Sequence, residues 1–160
     1  MSASDNTATP HLLRAEAIAR MPEQVQRHPL NDRAVRHTRS LSDALGLQRL
    51  GLHLVRVEPG DETTEYHFHH LDEEFLYILS GRGIAEIGEA QHEVGPGDCM
   101  GFTAPSLPHV MRNPFDEPLV YFMGGQRSAF DITDYPRRRK RLFRHGRSLQ
   151  VVDIDAIDTL

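Results

Sequence analysis

The 160-residue chain has one cysteine, Cys99, and a single thiol cannot build a disulfide framework. No apolar run approaches the roughly 20 residues that a helix needs to span a bilayer. The opening stretch, Met1 to Pro10, lacks the basic and apolar regions of a secretory signal. Neither sign of charge dominates: the net charge is -5 with 26% charged residues, so no global field draws the chain to nucleic acid or an anionic membrane. Walker loops, GxGxxG fingerprints and serine nucleophile elbows are missing, as are the paired helices of a helix-turn-helix module. These absences point to a cytoplasmic protein with a reduced thiol, no membrane span and no nucleic-acid partner.

Apolar residues make up 39% of the chain, enough for the core of one ordinary globular domain. Residues 1–44 read as an N-terminal arm. Within it, residues 1–10 form a small, polar leader expected to be disordered, and Leu12, Leu13, Ala15, Ala17, Ile18 and Met21 allow a short helix after Pro10. Residues 22–40, with Arg27, Arg33, Arg36 and Arg39, show little periodicity and are expected to lie along the surface. The texture changes near residue 45. Leu50, Leu52 and Leu54 alternate with Gly51, His53 and Val55, and short strand patterns then recur between turns such as Glu58-Pro59-Gly60-Asp61, Ser80-Gly81-Arg82-Gly83, Gly88-Glu89-Ala90 and Gly95-Pro96-Gly97-Asp98. Such spacing over residues 45–125 predicts an all-β sandwich or barrel.

Residues 126–160 are left as a C-terminal tail. Its dense basic run, Arg137 to Arg141, reads as a solvated charge cluster, with phosphate contact as the alternative. Val151 to Ile154 is a candidate terminal strand. Phe75 to Leu79 and Leu119 to Met123 are apolar on both faces, so their outer sides need cover. A homodimer through sheet faces or edges is the expected source.

The chemistry concentrates in Glu65 to Gly81. If residues 65–69 are extended, a period of two puts His67 and His69 on one face and Phe68 on the other. A turn at His70 to Glu73 would then start a neighbouring strand with Glu74 near that face. Two imidazoles and a carboxylate make a divalent-metal site that needs a further donor. His70 should point away from His69, Glu73 away from Glu74, and His53 reads as a packed or surface histidine. Cys99 reads as a small buried side chain.

A second constellation, Pro108-His109-Val110-Met111-Arg112-Asn113, follows the turn Pro96-Gly97-Asp98. Together the two stretches resemble the cupin superfamily. The first motif reads Gly60, His67-Phe68-His69, four residues, Glu74, six residues, Gly81; the second reads Gly97, His109, three residues, Asn113. The first spacer is one residue longer than the usual pattern, and Ser106 stands where a glycine would fall, departures that touch loops and not donor atoms. The flow around Gly95-Pro96-Gly97-Asp98 and Asn113-Pro114 is similar to small single-domain bacterial cupins of the conserved-barrel type. The resemblance implies a single-domain jelly-roll β-barrel over residues 45–125, with a short N-terminal arm and helix outside it. It also implies one divalent metal (Zn, Fe, Mn or Ni) on His67, His69, Glu74 and His109.

Four protein donors leave positions open for a small-molecule ligand or substrate. That suits a metal-dependent enzyme of dioxygenase, isomerase or lyase type, with Leu76, Ile78, Phe102 and Met111 shaping its pocket. It equally suits a non-catalytic module that binds or senses a small molecule.

Overall fold

Strands dominate the chain from Gln24 onward. The computed structural model describes residues 10–158, so the expected leader, except for Pro10, lies outside the described residues. Six strands form the largest sheet: β1 (Gln24–His28), β2 (Asn31–Ser40), β3 (Leu50–Val57), β5 (Glu74–Ser80), β8 (Cys99–Phe102) and β10 (Leu119–Gln126). Their spatial order is β1-β2-β3-β10-β5-β8. A second sheet joins β4 (Phe68–His69) to β11 (Phe130–Tyr135), β12 (Lys140–His145) and β13 (Ser148–Asp153). The third contains β6 (Gly83–Ile87), β7 (Ala90–Val94) and β9 (His109–Arg112). Isolated bridges, Glu62 with Arg112 and His67 with His109, link the sheets. The result is the expected all-β jelly roll, joined by these bridges and not by one continuous ladder. No helix among the described residues is long and apolar enough to cross a membrane.

The expected short N-terminal helix is α1 (Ala15–Arg20), and a second, α2 (Leu41–Ala44), follows β2. Residues 22–40 differ from the expected surface arm. They form β1 and β2, and β2 pairs with β3 through His37↔Arg56 to Ser40↔His53. Periodicity hid this strand because its buried positions, Ala34 and Thr38, are small or polar, so no apolar alternation marks it. The tail is likewise built into sheet: Thr133 pairs with His69 and Asp134 with Phe68.

Val55, Val57, Ile78, Leu119 and Tyr121 are fully enclosed and anchor the core between the sheets. Burying each such side chain stabilises the fold by about 1.5–3 kcal/mol. On β5, Leu76 and Ile78 point into this core, whereas Phe75, Tyr77 and Leu79 stay exposed on the outer face. Cys99 is exposed as well, contrary to expectation. It lies on β8, the outermost strand of its sheet, opposite Tyr77. Gly81 turns the chain out of β5 with φ +75°, and a Cβ there would meet the Pro118 carbonyl oxygen at 2.2 Å. Only glycine satisfies both demands.

The basic run is not an open cationic surface. Arg137 pairs with Glu86, Arg138 with Glu65, Arg139 with Asp155, Lys140 with Asp153 and Arg141 with Asp134. Each cation already faces a carboxylate, which removes the drive to replace counterions on a phosphate backbone.

Candidate metal centre

His69, Glu74 and His109 come from three different sheets, and His67 from the isolated bridge to His109. His69 is held by the β4–β11 pairing. His67 and His109 exchange reciprocal backbone hydrogen bonds, the His67 N–H donating at 3.1 Å and the His109 N–H at 2.8 Å. Glu74 opens β5, between Phe102 on β8 and Gly125 on β10. The histidine strand and the glutamate strand therefore do not form the expected neighbouring pair. Residues 70–73 carry the chain from one sheet to another, and Glu74 meets the imidazoles across the interior.

The side chains converge as the spacing implied. Donor atoms of His67, His69 and Glu74 all lie within 4.8 Å of one another. Glu74 Oε1 is 2.6 Å from His109 Nε2 and 3.6 Å from His67 Nε2. The His67 ring centroid is 5.1 Å from that of His69 and 4.7 Å from that of His109. His109 is further fixed by stacking on Phe102, with ring centroids 3.5 Å apart.

Every imidazole has its Nδ1 engaged on the far side. His67 Nδ1–H donates to the Glu65 carbonyl at 2.9 Å and His109 Nδ1–H to the Leu107 carbonyl at 3.2 Å. His69 Nδ1–H donates to Asp131 Oδ2 at 2.6 Å. A carbonyl or carboxylate oxygen can only accept, so these contacts assign the proton to Nδ1 in each neutral ring. Turned this way, each Nε2 offers a lone pair to a metal ion or, when the ring is protonated, an N–H to Glu74, as the 2.6 Å approach of His109 Nε2 requires. Three such nitrogens beside one carboxylate are a donor set that fits a divalent metal ion. The outer acceptors are the partners that orient metal-binding histidines.

Electrostatics agree with that arrangement. Burial pushes the Glu74 carboxyl upward, but hydrogen bonds from His109 and His67 outweigh it and hold the group well below the usual carboxylate range. Burial lowers His67, offset in part by Glu74, so its ring stays neutral. His69 is raised: burial opposes protonation, but the Asp131 hydrogen bond and the charge of Glu74 prevail.

Comparison with known proteins places this geometry in a lineage. The family model described as a cupin domain matches residues 53–124. A crystal structure from Silicibacter pomeroyi, a sugar phosphate isomerase from a cupin superfamily, superposes with TM-score 0.80 at 26% identity, over 93% of this chain and 96% of that one. A proposed sugar phosphate isomerase of Acidithiobacillus ferrooxidans superposes with TM-score 0.91 at 43% identity, over 93% and 96% of the two chains. The chain belongs to the cupin superfamily. An uncharacterized protein of Methanocaldococcus jannaschii is 35% identical over 63 residues, 39% of this cupin's length. The chain spans about half the length of that curated relative, 50%.

The histidines set aside from the sequence lie outside the cluster. His70 turns to Asp134 at 3.0 Å, and His53 sits on β3. Beside the cluster is a cavity of about 230 Å³. Leu76, Phe102 and Met111 line it as expected, whereas Ile78 belongs to the enclosed core. Four participants went unrecognised in the sequence. Asp131, almost fully buried, holds His69. His28, Arg36 and Tyr135 line the cavity from β1, β2 and β11. Burial lowers His28 to about 4 and raises Tyr135 to about 12, so at neutral pH the imidazole is neutral, its Nδ1 accepting the Leu30 amide, and the phenol keeps its proton. Alternation in Asp131-Ile132-Thr133-Asp134 could have flagged a strand, but nothing local tied it to the histidines. Asn113, part of the second motif, has a purely architectural role: its side-chain amide donates to the Val57 and Glu117 carbonyls at 3.1 and 2.8 Å.

Proposed function

We propose that this cupin is a metal-dependent isomerase acting on a small polyhydroxy carbonyl compound, with His67, His69, Glu74 and His109 holding one divalent ion. The observation that carries the reading is the convergence of three Nδ1-anchored imidazoles on Glu74 at the edge of a metabolite-sized cavity. A bound divalent ion would supply Lewis acidity to polarise a carbonyl and its neighbouring hydroxyl. The chain's own groups do the rest. The protonated Tyr135 hydroxyl can donate to a substrate oxygen, and neutral His28, whose Nδ1 accepts the Leu30 amide at 3.2 Å, can offer its Nε2–H to another. Leu76, Phe102 and Met111 form the apolar wall that limits water. Likeness to the Acidithiobacillus and Silicibacter proteins, whose names specify sugar phosphate isomerase, supports isomerisation over the oxygenase and lyase alternatives. The exposed row Phe75, Tyr77 and Leu79 supports a homodimer that covers the outer face of β5.

Metal analysis after chelator-free purification, combined with deuterium exchange at the carbon next to the carbonyl of candidate sugars, tests the reading. About one equivalent of metal is expected, lost in His69→Ala and His109→Ala, with exchange dependent on it. Metal content unchanged by both substitutions would sink the site. Tight ligand binding without exchange would instead leave the non-catalytic binding module.

A further inference from the structure

Arg36 is a charged group lining the cavity that the proposed metal centre does not use. It lies on β2 between Ala34 and Thr38, two residues buried at 1% and 6% exposure. The period of two turns all three to the same, inward face. Arg36 itself is half-buried, and an arginine drawn out of water towards a cavity ordinarily has a carboxylate partner, because desolvating an unpaired charge is costly. Among the described residues no carboxylate lies within ion-pair distance of Arg36, although Arg33 and Arg39, its neighbours on the same strand, pair with Glu62 and Glu23. Its recorded side-chain contact is with the Met123 sulfur at 3.9 Å.

The other groups around the cavity cannot neutralise it. His28, Thr63, Thr133 and Tyr135 are neutral, and the lining carboxylate, Glu74, is committed to His109 and His67. A second group points the same way. Tyr121 is 0% exposed, lines the cavity, and its hydroxyl makes no hydrogen bond at ordinary donor–acceptor distance. Leaving a buried hydroxyl unmade costs about 1–3 kcal/mol. A cation and an unspent O–H donor thus face one small cavity, beside a donor set suited to a divalent cation.

We propose that Arg36 and the Tyr121 hydroxyl form the anion anchor of this cupin, binding an oxyanion group, phosphate ester or carboxylate, on a substrate whose other end reaches the histidine cluster. The assignment rests on the isomerase reading for the nature of that other end, and on Arg36 and Tyr121 alone for the anion. Guanidinium offers paired N–H donors that match two oxyanion oxygens, and the tyrosine O–H supplies a third donor. With the metal site loaded, the cavity would carry a net positive charge. Neutral sugars would then be poor ligands, and specificity would lie in the anionic group.

The test is calorimetric titration of the metal-loaded protein with inorganic phosphate and with acetate, repeated on Arg36→Gln, Arg36→Lys and Tyr121→Phe. Melting curves and elemental analysis accompany each variant. Wild type is expected to bind one of the two anions saturably. Arg36→Gln should weaken it roughly 10- to 100-fold at unchanged metal content, the loss of a charge-assisted pair. Arg36→Lys should recover part of the affinity, and Tyr121→Phe, which keeps its packing, should lose several-fold. Preference for phosphate or for acetate identifies which oxyanion the anchor takes. Equal affinity in wild type and Arg36→Gln, or no saturable binding of either anion by wild type, overturns the proposal. Arg36-dependent anion binding by a protein that holds no metal would overturn the isomerase reading and leave the anchor standing.

Discussion

Replacing Asp131 by asparagine tests whether the outer partner of His69 sets the metal-binding face of the ring. Asp131 Oδ2 accepts from His69 Nδ1–H at 2.6 Å, while Oδ1 accepts from the Leu71 and Asp72 amides at 3.2 and 3.3 Å. The carboxylate is 1% exposed, and hydrogen bonds from His69 overcome its burial to keep it ionised. Asparagine has nearly the same shape but only one acceptor oxygen. Turned one way, its NH₂ faces two backbone N–H donors. Turned the other way, it faces His69 Nδ1, so the ring must move its proton to Nε2 and loses the inward lone pair.

Either choice forfeits at least one charge-assisted bond, which costs about 1.5–3 kcal/mol. For a chain of this size that lowers the melting temperature by roughly 3–12 °C. Metal affinity should fall about 10- to 100-fold, the usual effect of removing a histidine's outer partner. Competition against a chromogenic chelator, run well below both melting temperatures, separates the affinity from the stability. An Asp131→Asn protein that holds metal within about twofold of wild type would refute the tautomer argument.

Other perturbations test the frame around the site. Ile78→Ala, at a fully buried position outside the cavity, should cost about 2–5 kcal/mol in urea denaturation and leave metal stoichiometry unchanged; lost metal would mean the core and the site are not separable. Gly81→Ala should lower the denaturation midpoint, since φ is +75° and the new Cβ meets Pro118 O; an unchanged midpoint would contradict that close approach. Glu23 accepts hydrogen bonds from Arg56, which lower its pKa with further help from Arg39 and His37. Its folded pKa lies below the unfolded value, so its stabilisation is present above about pH 4.3 and fades as pH falls through the folded value. The stability gap between wild type and Glu23→Gln should close in that acid range, and a constant gap would refute the linkage. Sedimentation should find a dimer for wild type and a monomer for Tyr77→Lys; a monomeric wild type would dismiss the covered-face argument.

The clustering of His67, His69 and Glu74 was legible from local spacing, and His109 joined them through the resemblance to the two cupin motifs. His67 and His69 must share a face, Glu74 must follow after a short connection, and His109 lies on a strand introduced by its own turn. The all-β class was legible because turns such as Gly81 demand particular residues at regular intervals, and the resemblance narrowed it to a jelly roll. What surrounds the ligands was not. Asp131 reaches His69 only through the pairing of β11 with β4, and Arg36 faces the cavity only because β2 joins β3. Strand β2 lacks the apolar alternation that announces one, and the alternation in β11 does not say which strand it pairs with. The basic run read as a solvated charge cluster, and its partners Glu86 and Glu65, distant in the chain, were not legible beside it.

By itself the amino-acid order determined which residue types could bind metal and where the chain must turn, because both depend on spacings of a few residues. The tertiary structure alone decided which nitrogen of each histidine points inward, which arginines are paired and which one faces the cavity. Those outcomes depend on antiparallel pairings between distant segments, and no local pattern encodes them.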